Sequence, residues 1–337
     1  MTSLIPGWRK WSADTILGAV LLALMALVPL YASAAAEPFI VTVATRILVF
    51  SIAAVSLNLI LGFGGLISFG HALFLGLGVY TTAIMSFHGV DSGWLQLPAT
   101  LAVCAGVGAI TGSIALRTTG ISFIMITLAF AQMFYFLFIS LSHYGGDDGL
   151  RLAAGTRFGS LDLTGSQALY FTALAILYLS LYFCRRLVRS RFGSVIQGSR
   201  INESRMKALG FPTFRYRLAV YVISAMLCGI AGLLYANLTQ FASPSYMSWT
   251  TSGELIAMVV LGGMGTIIGP VFGAFGMILA EEGLKSLTQH WLVIFGPLIV
   301  IIITLSRLGL VGLLRQAGQR FRAAPPAPGA DAHGERP

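Results

Sequence analysis

Charged side chains are what this sequence lacks most. Asp, Glu, Lys and Arg make up 10% of its 337 residues, against about 25% in a soluble domain. That is too little to cover a water-facing surface, which excludes a soluble globular protein. Cysteine is scarce as well, and three in 337 residues cannot staple a secreted scaffold. His71, His88, His143, His290 and His333 are scattered, none of them paired at ligand spacing, so no metal site is expected. The phosphate-cradling pattern G-x-x-x-x-G-K-[ST] is missing. The chain is therefore not expected to hydrolyse ATP itself, to be an enzyme of another kind, or to carry a cofactor.

What is present is apolar sequence and glycine. Apolar types reach 56%, with 39 Gly in addition, which excludes a disordered chain and points to an all-α polytopic membrane protein. A helix needs about 17–25 apolar residues to cross lipid. Ten stretches qualify: 15–36, 39–61, 71–88, 95–116, 119–141, 167–184, 216–236, 253–269, 271–290 and 291–306. The last three are separated only by Gly269 and Pro270, by Glu281, Glu282 and Lys285, and by Gly296 and Pro297. Residues 1–14 then form an N-terminal segment and 15–306 the membrane part. The tail, 307–337, ends in a Pro/Ala/Gly-rich run expected to be disordered.

The net charge of +9 is informative through its placement. Nine basic residues fall in 185–217 and five in the tail, while Arg9 and Lys10 precede the first apolar run. With the N-terminus inside and ten crossings, 17 of the 21 basic residues lie inside, and Arg46, Arg151, Arg157 and Lys285 lie outside. Cytoplasmic loops retain Lys and Arg in this way. Both termini and the loop 185–215 are thus expected in the cytoplasm, and 142–166 outside. Lipid rather than nucleic acid is the expected partner of this charge. Arg9, Lys10, the apolar run and Ala32, Ser33 and Ala34 also resemble a cleaved signal peptide. A retained helix is favoured, because the apolar run exceeds the usual length.

Two Gly-rich segments interrupt the apolar pattern. Residues 58–80 contain Asn58, Gly62, Gly64, Gly65, Ser68, Gly70 and His71, followed by Gly76, Gly78 and Tyr80. Four Gly in 62–70 are too many for a regular helix, whereas Gly76 and Gly78 suit helix packing. A broken helix is tolerated in lipid only where its backbone is buried in protein or lines a cavity. The second segment holds Gly262, Gly263, Gly265 and Gly269, then Pro270. Shifted by 200 residues, Leu61, Gly62, Gly65, Ile67 and Gly76 fall on Leu261, Gly262, Gly265, Ile267 and Gly276. Paired interruptions in the two halves of a transporter point to its substrate pathway.

In the loop 185–215, Val195, Ser199, Asn202 and Met206 recur at helical spacing, which predicts one short amphipathic helix ended by Gly210 and Pro212. A helix of this kind suits docking to a cytosolic partner. Glu254 is expected either to cap a helix start or to attract a substrate ammonium. Arg46 is expected to snorkel outward, with Glu281 and Glu282 at the interface.

These segments together resemble the branched-chain amino acid permease family of ABC importers, of LivM type. Phe192, Gly193, Arg200, Asn202, Glu203, Ala208, Leu209 and Gly210 match its coupling loop, while Ser194 and Ile201 depart from it. Residues 58–80 and 261–274 match its Gly-rich signatures, and 120–130 and 145–150 fit two more. The resemblance covers roughly 40–305. It implies the ABC-importer permease fold and a place in the bacterial inner membrane. It also implies a second related permease subunit, two cytosolic ATPase subunits and a periplasmic solute-binding protein as partners. Arg200, Asn202, Glu203, Ala208, Leu209 and Gly210 would couple to the ATPases. Asn58, Gly62, Gly64, Gly65, Ser68, Gly70, His71, Glu254, Gly262, Gly263 and Gly265 would lie along the pathway. Branched-chain amino acids are the family's default cargo, with urea, short amides and aromatic acids as alternatives. A stand-alone secondary transporter is the competing class, but it would need intramembrane ionisable groups for ion coupling.

The charge asymmetry makes a direct prediction. A Cys replacing Ser194 should be shielded from an impermeant thiol reagent added outside cells, and one replacing Asp148 should react. Outside labelling at 194 would overturn the orientation.

Overall fold

A computed structural model describes residues 38–159 and 161–287, together with Met25, His290, Val293, Gly296 and Pro297. The expected crossings 15–36 and 291–306, the segment 1–14 and the tail fall outside the described residues, apart from those isolated positions. The other eight expected crossings are all helices. They are α1 (Pro38–Asn58), α2 (Ala72–Phe87), α3 (Gly93–Ala115), α4 (Ile121–Ser140), α5 (Ser166–Val188), α8 (Thr213–Thr239), α9 (Trp249–Gly262) and α10 (Gly269–Leu287). Between α5 and α8 lie α6 (Arg191–Ile201) and α7 (Glu203–Ala208).

Helix α1 is the centre of the bundle. It packs against α5, α8, α9 and α10, and Ile52, Ala53, Ala54 and Leu57 have no exposed surface. Its buried hydroxyls are satisfied within the helix. Thr45 donates to the Val41 carbonyl at 2.7 Å, Ser51 to Ile47 at 2.7 Å and Ser56 to Ala53 at 2.7 Å. This is how Ser and Thr sit in a helix with no water to bond. At the periphery, α3 and α4 turn Ile110, Ile114, Met125, Met133 and Phe136 outward, the surface that a lipid environment requires.

Five of these helices are long and apolar enough to cross a membrane: α1 with its extension to Phe63, α3, α4, α5 and α8. By contrast, α2 and α9 have 16 and 14 residues. At about 1.5 Å per residue neither covers the roughly 30 Å of a hydrocarbon core. The expected crossings 71–88 and 253–269 are therefore shorter helices joined to non-helical chain, and the second starts and stops earlier than its hydropathy suggests. Gly263, at φ +117°, and Gly265, at φ +75°, end α9.

Small residues set the closest helix crossings. Gly78 of α2 faces the carbonyl of Gly229 in α8, and Gly232 faces the Leu75 carbonyl. Farther along, Gly108 and Gly112 of α3 meet Ala225 and Tyr221 of α8. The backbones approach because no Cβ intervenes.

The segment expected outside, 142–166, is joined to the chain that follows α8. Strand β1 (Leu150–Arg151) pairs antiparallel with β4 (Phe241–Ala242), and β2 (Arg157–Phe158) pairs with β3 (Leu161–Asp162). Asn237, at the end of α8, accepts from the Thr156 N–H at 2.8 Å, and Thr156 Oγ1 donates to Gln96 of α3 at 2.6 Å.

The α2–α8 crossing gives a stability prediction. A Cβ at Gly78 would collide with main chain, which cannot rotate away. Overpacking of this kind costs about 1–3 kcal/mol. Gly78→Val should lower the thermal unfolding midpoint of the purified chain, whereas Gly106→Val, which faces open space, should not. Equal midpoints would contradict this packing.

Candidate functional site

Helix α1 does not end in a regular turn. It passes into a π-turn over Leu59–Phe63, in which Gly64 N–H bonds the Leu59 carbonyl at 3.1 Å, Gly65 the Leu61 carbonyl at 3.2 Å and Leu66 the Ile60 carbonyl at 2.9 Å. Turns of this type recur at functional sites. The chain then runs without helix from Gly64 to His71 before α2 begins. The broken helix expected from four glycines is therefore present. Gly65 sits at φ +71°, where a Cβ would be strained.

This irregular stretch re-enters the bundle. Phe69 N–H reaches Thr127 Oγ1 of α4 at 3.3 Å, and Ala72 N–H reaches Ser252 Oγ of α9 at 3.1 Å. His71 is fully buried, with Nε2 2.8 Å from Ser56 Oγ. Cys228 Sγ donates to the His71 carbonyl at 3.6 Å, and Ser224 Oγ to the Ser56 carbonyl. Ser68 is buried, and its Oγ accepts from the Gly70 N–H at 3.3 Å. Ser68, Gly70 and His71 thus anchor the break in protein, while Gly65 and Ile67 are exposed.

The second Gly-rich segment lies directly against the first. Asn58 donates from Nδ2 to the Thr266 carbonyl at 2.7 Å, and its Oδ1 accepts from the Gly265 N–H at 3.1 Å. One carboxamide therefore satisfies a donor and an acceptor left over where α9 stops. A Cβ on Gly62 would come within 2.5 Å of the Gly265 nitrogen, so the two main chains touch. Gly262 brings α9 onto α10 in the same manner, against the Gly269 carbonyl, and Gly263 follows as the stop of α9. Gly64 has ordinary helical angles and is buried at the joint.

On the other side of this seam lies the pair α6–α7. The single helix expected there is two, because Asn202 is extended at φ −155° and caps α7, its Oδ1 accepting from Arg205 N–H at 2.9 Å. Gly210, at φ +85°, terminates the pair, as its sequence position suggests. Val195 and Ser199 of the expected stripe are buried against the bundle, and Ile196 beside them is buried too. Facing outward instead are Ile201, 84% exposed, and Leu209, 65% exposed. Ala208 is also exposed. Arg200 donates from Nη1 to the Gly62 carbonyl.

Glu203 is paired within the chain. Its carboxylate meets Arg217 of α8 at 2.7 Å and Lys207 at 2.9 Å, and accepts from Thr213 Oγ1 at 3.2 Å. Arg217, which sequence reasoning left without a role, also donates to the Ser199 carbonyl at 3.0 Å. Burial works to raise the Glu203 pKa, but the hydrogen bond from Lys207 and the charges of Arg217 and Lys207 outweigh it, and the net direction is downward. The tie is intact above the ordinary carboxylate range and is lost only as pH falls through the depressed value.

Glu254 stands apart from this seam. Ser248, not Glu254, caps α9, its hydroxyl accepting from Thr251 N–H at 3.5 Å. Glu254 falls beyond the first turn and makes no hydrogen bond or ion pair among the described residues, so the capping expectation is overturned. Nor does Arg46 reach out alone. It pairs with Glu281 at 3.1 Å and Glu282 at 3.0 Å, and lies over the Phe50 ring. Neither partner is close to Arg46 in sequence, which concealed the pairing.

The family described as branched-chain amino acid transport system, permease component, matches residues 39–305. The chain belongs to that family. This permease is 27% identical to the high-affinity branched-chain amino acid transport system permease protein LivM of Salmonella typhimurium, over 86% of this chain and 75% of that protein. LivM of Escherichia coli (strain K12) matches with the same identity and coverage. LivH, a permease protein of the same Escherichia coli strain, is 24% identical over 78% of this chain and 91% of its own length. No solved structure matches the permease.

Asn58 gives the sharpest test of the seam. Asn58→Leu removes the hydrogen bonds to the part-buried Gly265 N–H and Thr266 carbonyl, at about 0.5–1.5 kcal/mol for each. The purified permease should unfold at lower temperature and its uptake should fall. A variant as stable as the parent would show that the carboxamide does not hold the seam.

Proposed function

We propose that this chain is the permease subunit of a bacterial ABC importer, forming half of the pathway for branched-chain or related amino acids across the inner membrane. A second, related permease would supply the other half. That both LivM and LivH of one Escherichia coli strain are similar to it supports such a pair. Two cytosolic ATPase subunits would drive transport, and a periplasmic binding protein would deliver the cargo.

One observation carries this reading. The helix pair α6–α7, which displays Ile201 and Leu209 outward, is attached to the seam where the two Gly-rich breaks meet. A secondary transporter has no use for such an outward lever. In this account the ATPases grip the outward face of α6–α7 on the cytoplasmic side. Closure of the ATPase pair moves these helices. The motion enters the bundle by two routes, through Arg200 into the π-turn and through Glu203 and Arg217 into α8. Non-helical chain at 64–71 and 263–268 can then rearrange without breaking a helical ladder. Glu254 and the pathway glycines would meet the cargo as access changes.

Coupling is tested by co-purification of the ATPase subunits together with substrate-stimulated ATP hydrolysis. Glu203→Ala removes the carboxylate that fixes α7 on α8, and hydrogen bonds to charged groups contribute about 1.5–3 kcal/mol each. Gly210→Val strains the turn at φ +85°. Both should detach or uncouple the ATPases, and Arg189→Lys should do little. Full retention of both properties in Glu203→Ala and in Gly210→Val would sink the assignment.

A further inference from the structure

In the π-turn, the carbonyls of Leu59, Ile60 and Leu61 accept from the N–H groups of Gly64, Leu66 and Gly65. No backbone N–H among the described residues takes the carbonyl of Gly62. Carbonyls at the last turn of a helix are left over in this way, and within a membrane protein they need a partner from protein. Arg200 Nη1 provides it from α6, 138 residues away.

The rest of the Arg200 side chain, although the residue is exposed, lies against both Gly-rich segments. Its Cγ and Cδ would stand 2.7 and 3.2 Å from a Cβ on Gly65, and its Nη1 3.8 Å from one on Gly265. One side chain therefore lies across the seam and touches both Gly-rich segments. Arg200 has no ion pair among the described residues, although Glu203 is only three positions on and is taken by Arg217 and Lys207. A neutral carbonyl holds a guanidinium less tightly than a carboxylate does. That suits a contact made and broken in every cycle.

We propose that Arg200 is a latch. Seated across the seam, it holds the 62–65 and 263–266 segments together and closes the bundle at the α6 end. When α6 moves, the guanidinium withdraws, the Gly62 carbonyl loses its partner and the seam parts. What moves α6 rests on the ABC-importer reading above; the latch itself is a property of this chain.

The test is thiol accessibility in the purified transporter complex, with Cys104, Cys184 and Cys228 replaced by Ala. Leu61→Cys places a buried probe at the seam, and Ala173→Cys a buried probe in α5 away from it. Loss of a hydrogen bond to a charged group shifts an opening equilibrium by roughly 10- to 100-fold. Arg200→Ala should therefore speed maleimide labelling at 61 by that factor and leave 173 unchanged. Arg200→Lys should fall between, and Arg205→Ala, on the exposed face of α7, should have no effect. Unchanged labelling at 61 in Arg200→Ala overturns the latch. Equal acceleration at 61 and 173 also overturns it, because that is general loosening. ATPase co-purification is read on the same samples. If the parent retains no ATPase, the importer reading fails, while the labelling rates still decide the latch.

Discussion

Backbone that leaves a helix inside a membrane protein must find its hydrogen bonds in protein, because lipid offers none. In this permease one side chain meets that constraint for a donor and an acceptor at once. Asn58 supplies a donor to Thr266 and an acceptor to Gly265, so the end of α1 and the end of α9 satisfy each other. Gly62 allows the two main chains to touch. Break the contact and the buried Asn58 carboxamide loses both its partners, as do the part-buried peptide groups of Gly265 and Thr266. The two interruptions, 200 residues apart in sequence, form one joint.

Two further attachments extend from that joint. Through Arg200, α6 completes the hydrogen bonding of the π-turn. Through Glu203 and Arg217, α7 is fixed to the start of α8, and α8 crosses α2 at its glycines. The helix pair outside the spanning segments is thus connected both to the seam and to the long helix packed beside it. Elsewhere charge is used differently. Arg46, Glu281, Glu282 and Lys285 neutralise one another where α1 meets α10, far along α1 from Asn58. That network binds two helices and leaves Glu254 as a nearby carboxylate without an ion pair among the described residues.

Much of this was legible in the sequence because hydropathy reports burial in lipid directly. Eight of the ten expected crossings appear as helices, and the other two lie outside the described residues. The family, too, could be read from the motifs of residues 58–80 and 192–210. Length was harder. Apolar residues continue through 263–268, and only the positive φ of Gly263 and Gly265 shows that the helix has stopped. Partners across the fold were harder still. Nothing near Asn58 names Thr266, and nothing near Glu203 names Arg217, because such pairs depend on tertiary approach. The amphipathic spacing of Val195 and Ser199 was real, but it marked the face turned to the bundle rather than the face turned to a partner. Periodicity identifies an apolar stripe without saying what covers it.

The central claim is that the seam between the Gly-rich segments changes during transport. Pulsed electron spin resonance can measure this with labels at Phe63 and Met264, one on each segment and neither buried. The permease, assembled with the ATPase subunits proposed for it, would be compared without nucleotide and with those subunits trapped in the ATP-bound state. The account predicts two distinct distance distributions, with the shorter and narrower one belonging to the state in which Arg200 spans the seam. A single distribution, unchanged by nucleotide in a transporter that still imports substrate, would contradict it.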